Sequence, residues 1–147
     1  MNLSITKMTI LTVLGTVGSF LTNLFGGWGE DMITLLIFMG IDFLLGVLIA
    51  AFWKKSDKSK TGAVSSYSAW KGLVKKGVTL LIVLVAHRLD ITLGTEYIRP
   101  AVIIAFCANE LISIIENLGI MGVPLPAVLT KAMELLQNKT DTKGNGK

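Results

Sequence analysis

Apolar positions gather into four long stretches that fill most of the chain. A helix crossing about 30 Å of hydrocarbon needs about 20 residues. The first stretch, Met8 to Phe25, has no charge and many small residues. The second, Met32 to Trp53, carries one charge, Asp42. The third is wholly apolar only from Gly77 to Ala86, and reaches spanning length by including Leu73 to Lys76 or His87 to Leu93. The fourth, Ile98 to Leu118, contains Arg99, Glu110 and Glu116. Gly26-Gly27-Trp28-Gly29 separates the first two stretches, and Glu30 and Asp31 then suit the positive end of a second helix dipole. Gly94 marks a stop for the third helix, and Pro100 falls in the first turn of the fourth, where its missing N–H is harmless. The pattern predicts an all-α membrane protein with about four transmembrane helices, or three if the first or third segment lies at the interface.

The period changes after Gly122-Val123-Pro124-Leu125-Pro126. Leu125, Val128, Leu129, Ala132, Met133 and Leu136 then recur at helical spacing, with Thr130, Lys131, Glu134 and Gln137 opposite them. This predicts an amphipathic helix too short to span, lying on the bilayer or against a partner. The expected division is a transmembrane helical domain over residues 1–124, an amphipathic surface helix over 125–137 and a disordered polar tail over 138–147.

Composition sharpens the picture. The 147 residues are 52% hydrophobic and 16% charged, against about 25% charge in soluble domains. Such a chain is neither a water-soluble globule nor a disordered one. The single Cys107 excludes an intrachain disulfide and a Cys-based zinc site. Net charge is +4, and with this hydrophobicity a basic balance points to a membrane surface, not to nucleic acid. Lys7 precedes the first stretch as in a signal peptide. That stretch is long, however, and Gly26-Gly27-Trp28-Gly29 is a poor cleavage site, so it reads as a retained span.

Lysines set the expected orientation. Lys54, Lys55, Lys58, Lys60, Lys71, Lys75 and Lys76 lie between or near the ends of the second and third stretches, against one acid, Asp57. Basic loops face the cytoplasm, and the same lysines suit anionic headgroups. Four spans then place both termini inside, in keeping with Lys131, Lys139, Lys143 and Lys147.

The charges within the stretches are costly. An acid at a helix centre costs about 2.5–3.5 kcal/mol on the insertion scale, while each Leu, Ile, Phe or Val returns about 0.3–0.6. The second stretch, with thirteen such residues, offsets Asp42 alone. The fourth has ten against two acids and Arg99, and is marginal without partners or water. Its polar and small residues form a stripe: Ala101, Ala105, Asn109, Ser113 and Glu116, bordered by Glu110 and Asn117. On the second helix Asp42, Gly46 and Ala50 share a face. Gly46-x3-Ala50 and Gly15-x3-Ser19 have the spacing of close helix contacts. Such a stripe faces other helices or water. Two readings stay open for Asp42, Arg88, Asp90, Glu110 and Glu116: buried pairs that hold one bundle, or a conducting path or oligomer contact. His87 reads as a polar residue near the outer end of the third helix, and Cys107 as packing. No phosphate loop, metal-ligand cluster or activated nucleophile is present, so neither catalysis nor a cofactor is expected.

The polar marks resemble a known family. Asp42-Phe43-Leu44-Leu45-Gly46-Val47-Leu48-Ile49-Ala50-Ala51 is similar to the Asp…Gly…Ala-Ala helix of the toxin-secretion/phage-lysis holins. Lys71-Gly72-Leu73-Val74-Lys75-Lys76 resembles their Gly-Leu-x-Lys-Lys turn, and Ala86-His87-Arg88-Leu89-Asp90 the end of their next helix. The most specific block is Asn109 to Gly119 followed by Gly122-Val123-Pro124-Leu125-Pro126. The likeness covers about residues 30–137, in order. It departs from the family pattern at Phe43 and Leu45, where Tyr and Thr are frequent, and at Leu111, where Gly is frequent. The resemblance implies a phage-encoded or prophage-derived protein of the bacterial inner membrane. Such a protein assembles as a large homo-oligomer in the lipid bilayer and releases an endolysin or a large toxin. An antiholin is a possible partner in such a system. Two other classes remain open: a small ion channel or transporter subunit, and an antiholin-type regulator.

Overall fold

The computed structural model describes residues 3–53, 66–132 and 134–135. Lys54, Lys55, Lys58 and Lys60 therefore lie outside the described residues, as does 138–147. The chain forms α1 (Leu3–Phe25), α2 (Glu30–Leu48) continued by a π-helical turn (Ile49–Trp53), α3 (Ser66–Leu93) and α4 (Ile98–Ile120). Residues 127–132 and 134–135 are helical as well. Most of these residues are exposed. There is no strand among the described residues. The protein is an all-α membrane protein: Ile5–Phe25, Glu30–Phe52 and Ile98–Ile120 are each long and apolar enough to cross a bilayer.

α2, α3 and α4 pack through repeats that alternate three- and four-residue steps, the spacing that keeps one seam of a helix against its neighbours. On α2 the seam is Met32, Leu35, Met39 and Asp42, all buried. On α3 it is Ala69, Gly72, Lys76, Thr79, Val83, Ala86 and Asp90, with burial deepening toward the C-terminal end. α4 contributes Ile103 and Cys107, which meet Met32, Leu35, Met39 and Val83 in the apolar core. Phe25, Phe38, Leu80, Val102 and Phe106 close its edges.

Cross-links fix the directions. Asp90 meets Ile98 and Arg99, and Lys76 meets Glu110, so α3 runs antiparallel to α4. Asp31 meets Arg99 and Asp42 meets Ser113, so α2 runs parallel to α4. The 28 residues of α3 measure about 42 Å at 1.5 Å per residue, enough to follow α4 along its whole length. Its charges keep its composition below that of the three apolar helices.

α1 stands apart. Residues 5–21 are exposed all round, and the helix joins the bundle only at its C-terminal end. There Gly26, at φ +73°, turns the chain toward α2 with the imidazole of His87 over its backbone. A Cβ on Gly26 would lie 2.4 Å from His87 Cε1. The small-residue spacings do not mark close contacts here: a Cβ on Gly46 or Gly15 would meet no atom within 4 Å. At Gly46 and Gly15 the neighbouring helices therefore stand too far off for a backbone approach.

Gly26→Ala is expected to lower stability in detergent micelles by about 2 kcal/mol or more, because left-handed backbone alone costs an L side chain roughly 1–2 kcal/mol. Urea unfolding followed by circular dichroism checks this. Adding His87→Ala should recover the steric part of the loss and leave the backbone part.

Candidate functional site

Two polar sites stitch the bundle, one at mid-length and one at an end. Asp42 lies at the thirteenth position of the 23-residue span Glu30–Phe52, and Glu110 at the thirteenth of Ile98–Ile120. Both carboxylates therefore sit near the middle of their apolar helices. Lys76 reaches between them from α3: its Nζ is 2.9 Å from Asp42 Oδ2 and 2.5 Å from Glu110 Oε2. The three side chains are 7%, 14% and 15% exposed for Asp42, Lys76 and Glu110. Ser113 Oγ donates to Asp42 Oδ1 at 2.5 Å, and Asn117 Nδ2 donates to the same oxygen at 3.0 Å. Among these side chains there is one cation against two carboxylates. In low dielectric an unpaired charge is expensive, and here each ionic group faces one of opposite sign. No buried side-chain polar atom among the described residues lacks a hydrogen bond.

The second site ties helix ends together. Asp90, buried in the last turn of α3, accepts from Thr95 Oγ1 (2.6 Å), Ile98 N (3.0 Å) and Arg99 N (2.7 Å). It thus caps the N-terminus of α4 across the Gly94 turn, satisfying N–H groups that have no partner within the helix. Thr95 N also bonds back to Asp90 O at 2.9 Å, and Gly94 at φ +66° makes that closure possible. Arg99 then spreads its guanidinium over three acceptors. Nε reaches Phe25 O at 2.7 Å, Nη2 reaches Gly27 O at 3.1 Å and Nη1 reaches Asp31 Oδ2 at 3.1 Å. One side chain thereby holds the end of α1, the connecting turn and the start of α2 against the start of α4.

The polar stripe read from the fourth helix is split by this packing. Glu110, Ser113 and Asn117 turn inward with Asp42. Asn109 and Glu116 are exposed on the other side of the helix, with Ala105 half-buried. On α2 Ala50 is buried and Gly46 half-buried. Arg88 is exposed on α3 and joins neither site, so of the expected buried pairs those involving Arg88 and Glu116 do not form. Lys71 and Lys75 are exposed. Lys76 departs from the lysine set: the sequence pattern groups it with the topology-setting lysines, whereas the structure turns its ammonium into the bundle. Its place on the α3 seam is the signal that separates it from Lys71 and Lys75. Arg99 is likewise legible in the sequence only as a cost within its stretch, because its acceptors, two backbone carbonyls and the Asp31 carboxylate, are far away in sequence.

The sequence profile of the bacteriophage holin family matches residues 19–138. The chain belongs to the bacteriophage holin family. It is 34% identical over 110 residues to a probable holin of Bacillus phage phi105, covering 74% of this chain and 76% of the relative. An uncharacterised 14.9 kDa protein of Clostridium perfringens is 39% identical over 126 residues, covering 84% and 89%. The uncharacterised protein Lmo0128 of Listeria monocytogenes is 35% identical over 124 residues, covering 84% and 83%. No solved structure matches the chain significantly. The family is not an enzyme family. Among the described residues of this holin-family chain no group of His, Cys, Asp and Glu could hold a metal ion.

Lys76→Met is expected to destabilise the bundle by about 3–5 kcal/mol, since it leaves two carboxylates buried without their cation. The triple variant Asp42→Asn, Lys76→Met, Glu110→Gln should regain most of that loss, as read by urea unfolding in micelles. Asp90→Ala should cost about 0.5–2 kcal/mol, the usual loss of an N-cap, and should speed amide exchange at Ile98 and Arg99.

Proposed function

We propose that this chain is a holin that self-assembles in the bacterial cytoplasmic membrane into lesions wide enough to pass a folded endolysin or a large toxin. The observation that carries the reading is the network of Asp42, Lys76, Glu110, Ser113 and Asn117 at mid-depth, closed within one chain. Exposing these groups to lipid costs several kcal/mol each. Two states avoid that cost: the monomer, where the groups satisfy one another, and an assembly in which the helices separate and the same groups face water. A packed bundle with two such arrangements is bistable. The monomer accumulates harmlessly, and a rise in surface density favours the assembled state by mass action. α3 serves as a fourth crossing, so the Lys54 to Lys60 segment and both termini share the cytoplasmic side. The amphipathic helix after Pro126 rests on that surface and tunes timing.

Family membership supports a holin, and the apolar helices support the membrane. Expression in a bacterium, with and without an endolysin that lacks its own export signal, tests the rest. Abrupt clearing of the culture with enzyme escape, only when both are present, is the expected result. Ion leakage without enzyme escape indicates a small channel instead, and a membrane-inserted chain without any effect indicates an antiholin-type regulator. Glu110→Leu should still insert but shift the lysis time, since it leaves Lys76 with one carboxylate. Unchanged timing would remove the polar network from the mechanism. Removal of residues 125–147 should advance or delay lysis without abolishing insertion.

A further inference from the structure

We propose that copies of this chain join head to tail, the exposed basic edge of α3 in one copy meeting the exposed polar strip of α4 in the next. α4 is enclosed by its neighbours except along one line, and that line carries Asn109 and Glu116, one apart by two turns from the other. Neither side chain has a hydrogen bond or ion pair among the described residues. Asn109 adjoins mid-depth Glu110, and Glu116 lies about 9 Å farther along at 1.5 Å per residue. Both therefore fall inside a hydrocarbon half-thickness of about 15 Å. Lipid cannot satisfy a carboxylate or an amide at that depth, so such groups face protein or water.

The complementary charge is on α3. Lys71 and Lys75 are exposed one turn apart, off the buried seam that holds Lys76. The Lys76–Glu110 contact fixes the relative level of the two antiparallel helices. Lys71 precedes Lys76 by about 7.5 Å of helix, and Glu116 follows Glu110 by about 9 Å in the same direction. Lys71 and Glu116 thus stand within about 2 Å of one another in depth, and Lys75 and Asn109 within about 3 Å. Copies inserted with the same orientation present these edges to each other at matching levels without tilting.

A two-fold contact through the α4 strip would set Glu116 against Glu116, and one through the α3 edge would set lysine against lysine. Both are repulsive. The edge-to-strip contact pairs opposite charges and leaves a free edge and a free strip at its ends, so it propagates into arcs or rings about the membrane normal. This inference rests on the self-assembly proposed above and names the surface by which closed chains first associate, while the Lys76–Glu110 contact is intact and before the helices separate.

Disulfide trapping in membranes of intact cells tests it. In a Cys107→Ala background, chains carrying Lys71→Cys and Glu116→Cys together should give a ladder of dimers, trimers and longer species on oxidation. Chains carrying Leu44→Cys and Glu116→Cys serve as the control, because Leu44 is exposed on α2 at a comparable depth. Retaining Lys71 and Lys75 is a second arm. There Val74→Cys, exposed beside the basic edge and level with the strip's flank, is paired with Ile112→Cys, beside the strip, and Glu116→Lys should reduce the ladder about tenfold. Lys71→Glu and Lys75→Glu added to that chain should restore it. A ladder from the control equal to that from the 71–116 pair, dimers that stop at 116–116, or no cross-link in chains recovered from the membrane each overturns the proposal. Lysis with enzyme escape but no ladder refutes this surface and leaves the holin reading intact. A ladder without lysis does the reverse.

Discussion

One ammonium between two carboxylates, halfway along the helices, is the constraint on which the rest of the bundle depends. Asp42, Lys76 and Glu110 come from three different helices. None of them can leave the contact without stranding a charge where nothing else can solvate it. The register of α2, α3 and α4 is therefore pinned at mid-length to within a helical turn. The apolar core of Met32, Leu35, Met39, Val83, Ile103 and Cys107 lies between this point and the Arg99 end. Apolar packing alone would tolerate a slide of one turn, because lipid tails are as apolar as the helix faces and reward no particular partner. The ion network does not.

The Asp90 and Arg99 contacts complete the frame by a different route. They use backbone groups that helices leave unsatisfied at their ends: N–H at the start of α4 and carbonyls at the end of α1. A network at the middle and a clasp at one end fix three helices rigidly. The opposite end, toward the lysine-rich connection, has no comparable clasp among the described residues. The same asymmetry leaves α1 attached at one point and exposed elsewhere.

The sequence by itself determined the elements, the class and the family. Apolar runs of spanning length admit little but helices in a bilayer, because every backbone group must be satisfied within its own segment. The breaks at Gly26, Gly94 and Gly122 followed from residue type alone, and the resemblance of ordered short blocks led to the holins. The stripe on the fourth helix was legible from its spacing, as was the pairing of Asp42 with some polar partner. Tertiary structure decided which side of that stripe turns inward. Ser113 and Asn117 satisfy Asp42 while Asn109 and Glu116 remain outside, a choice that depends on where α2 docks and not on the period of α4. It also moved Lys76 from the topology-setting lysines into the network. Charge counting treats neighbouring lysines alike, whereas a difference of one residue rotates a side chain by about 100° around the helix. Arg99 needed the fold most of all: two of its three acceptors are the carbonyls of Phe25 and Gly27, which every residue possesses and no sequence pattern marks, and the third, Asp31, is distant in sequence.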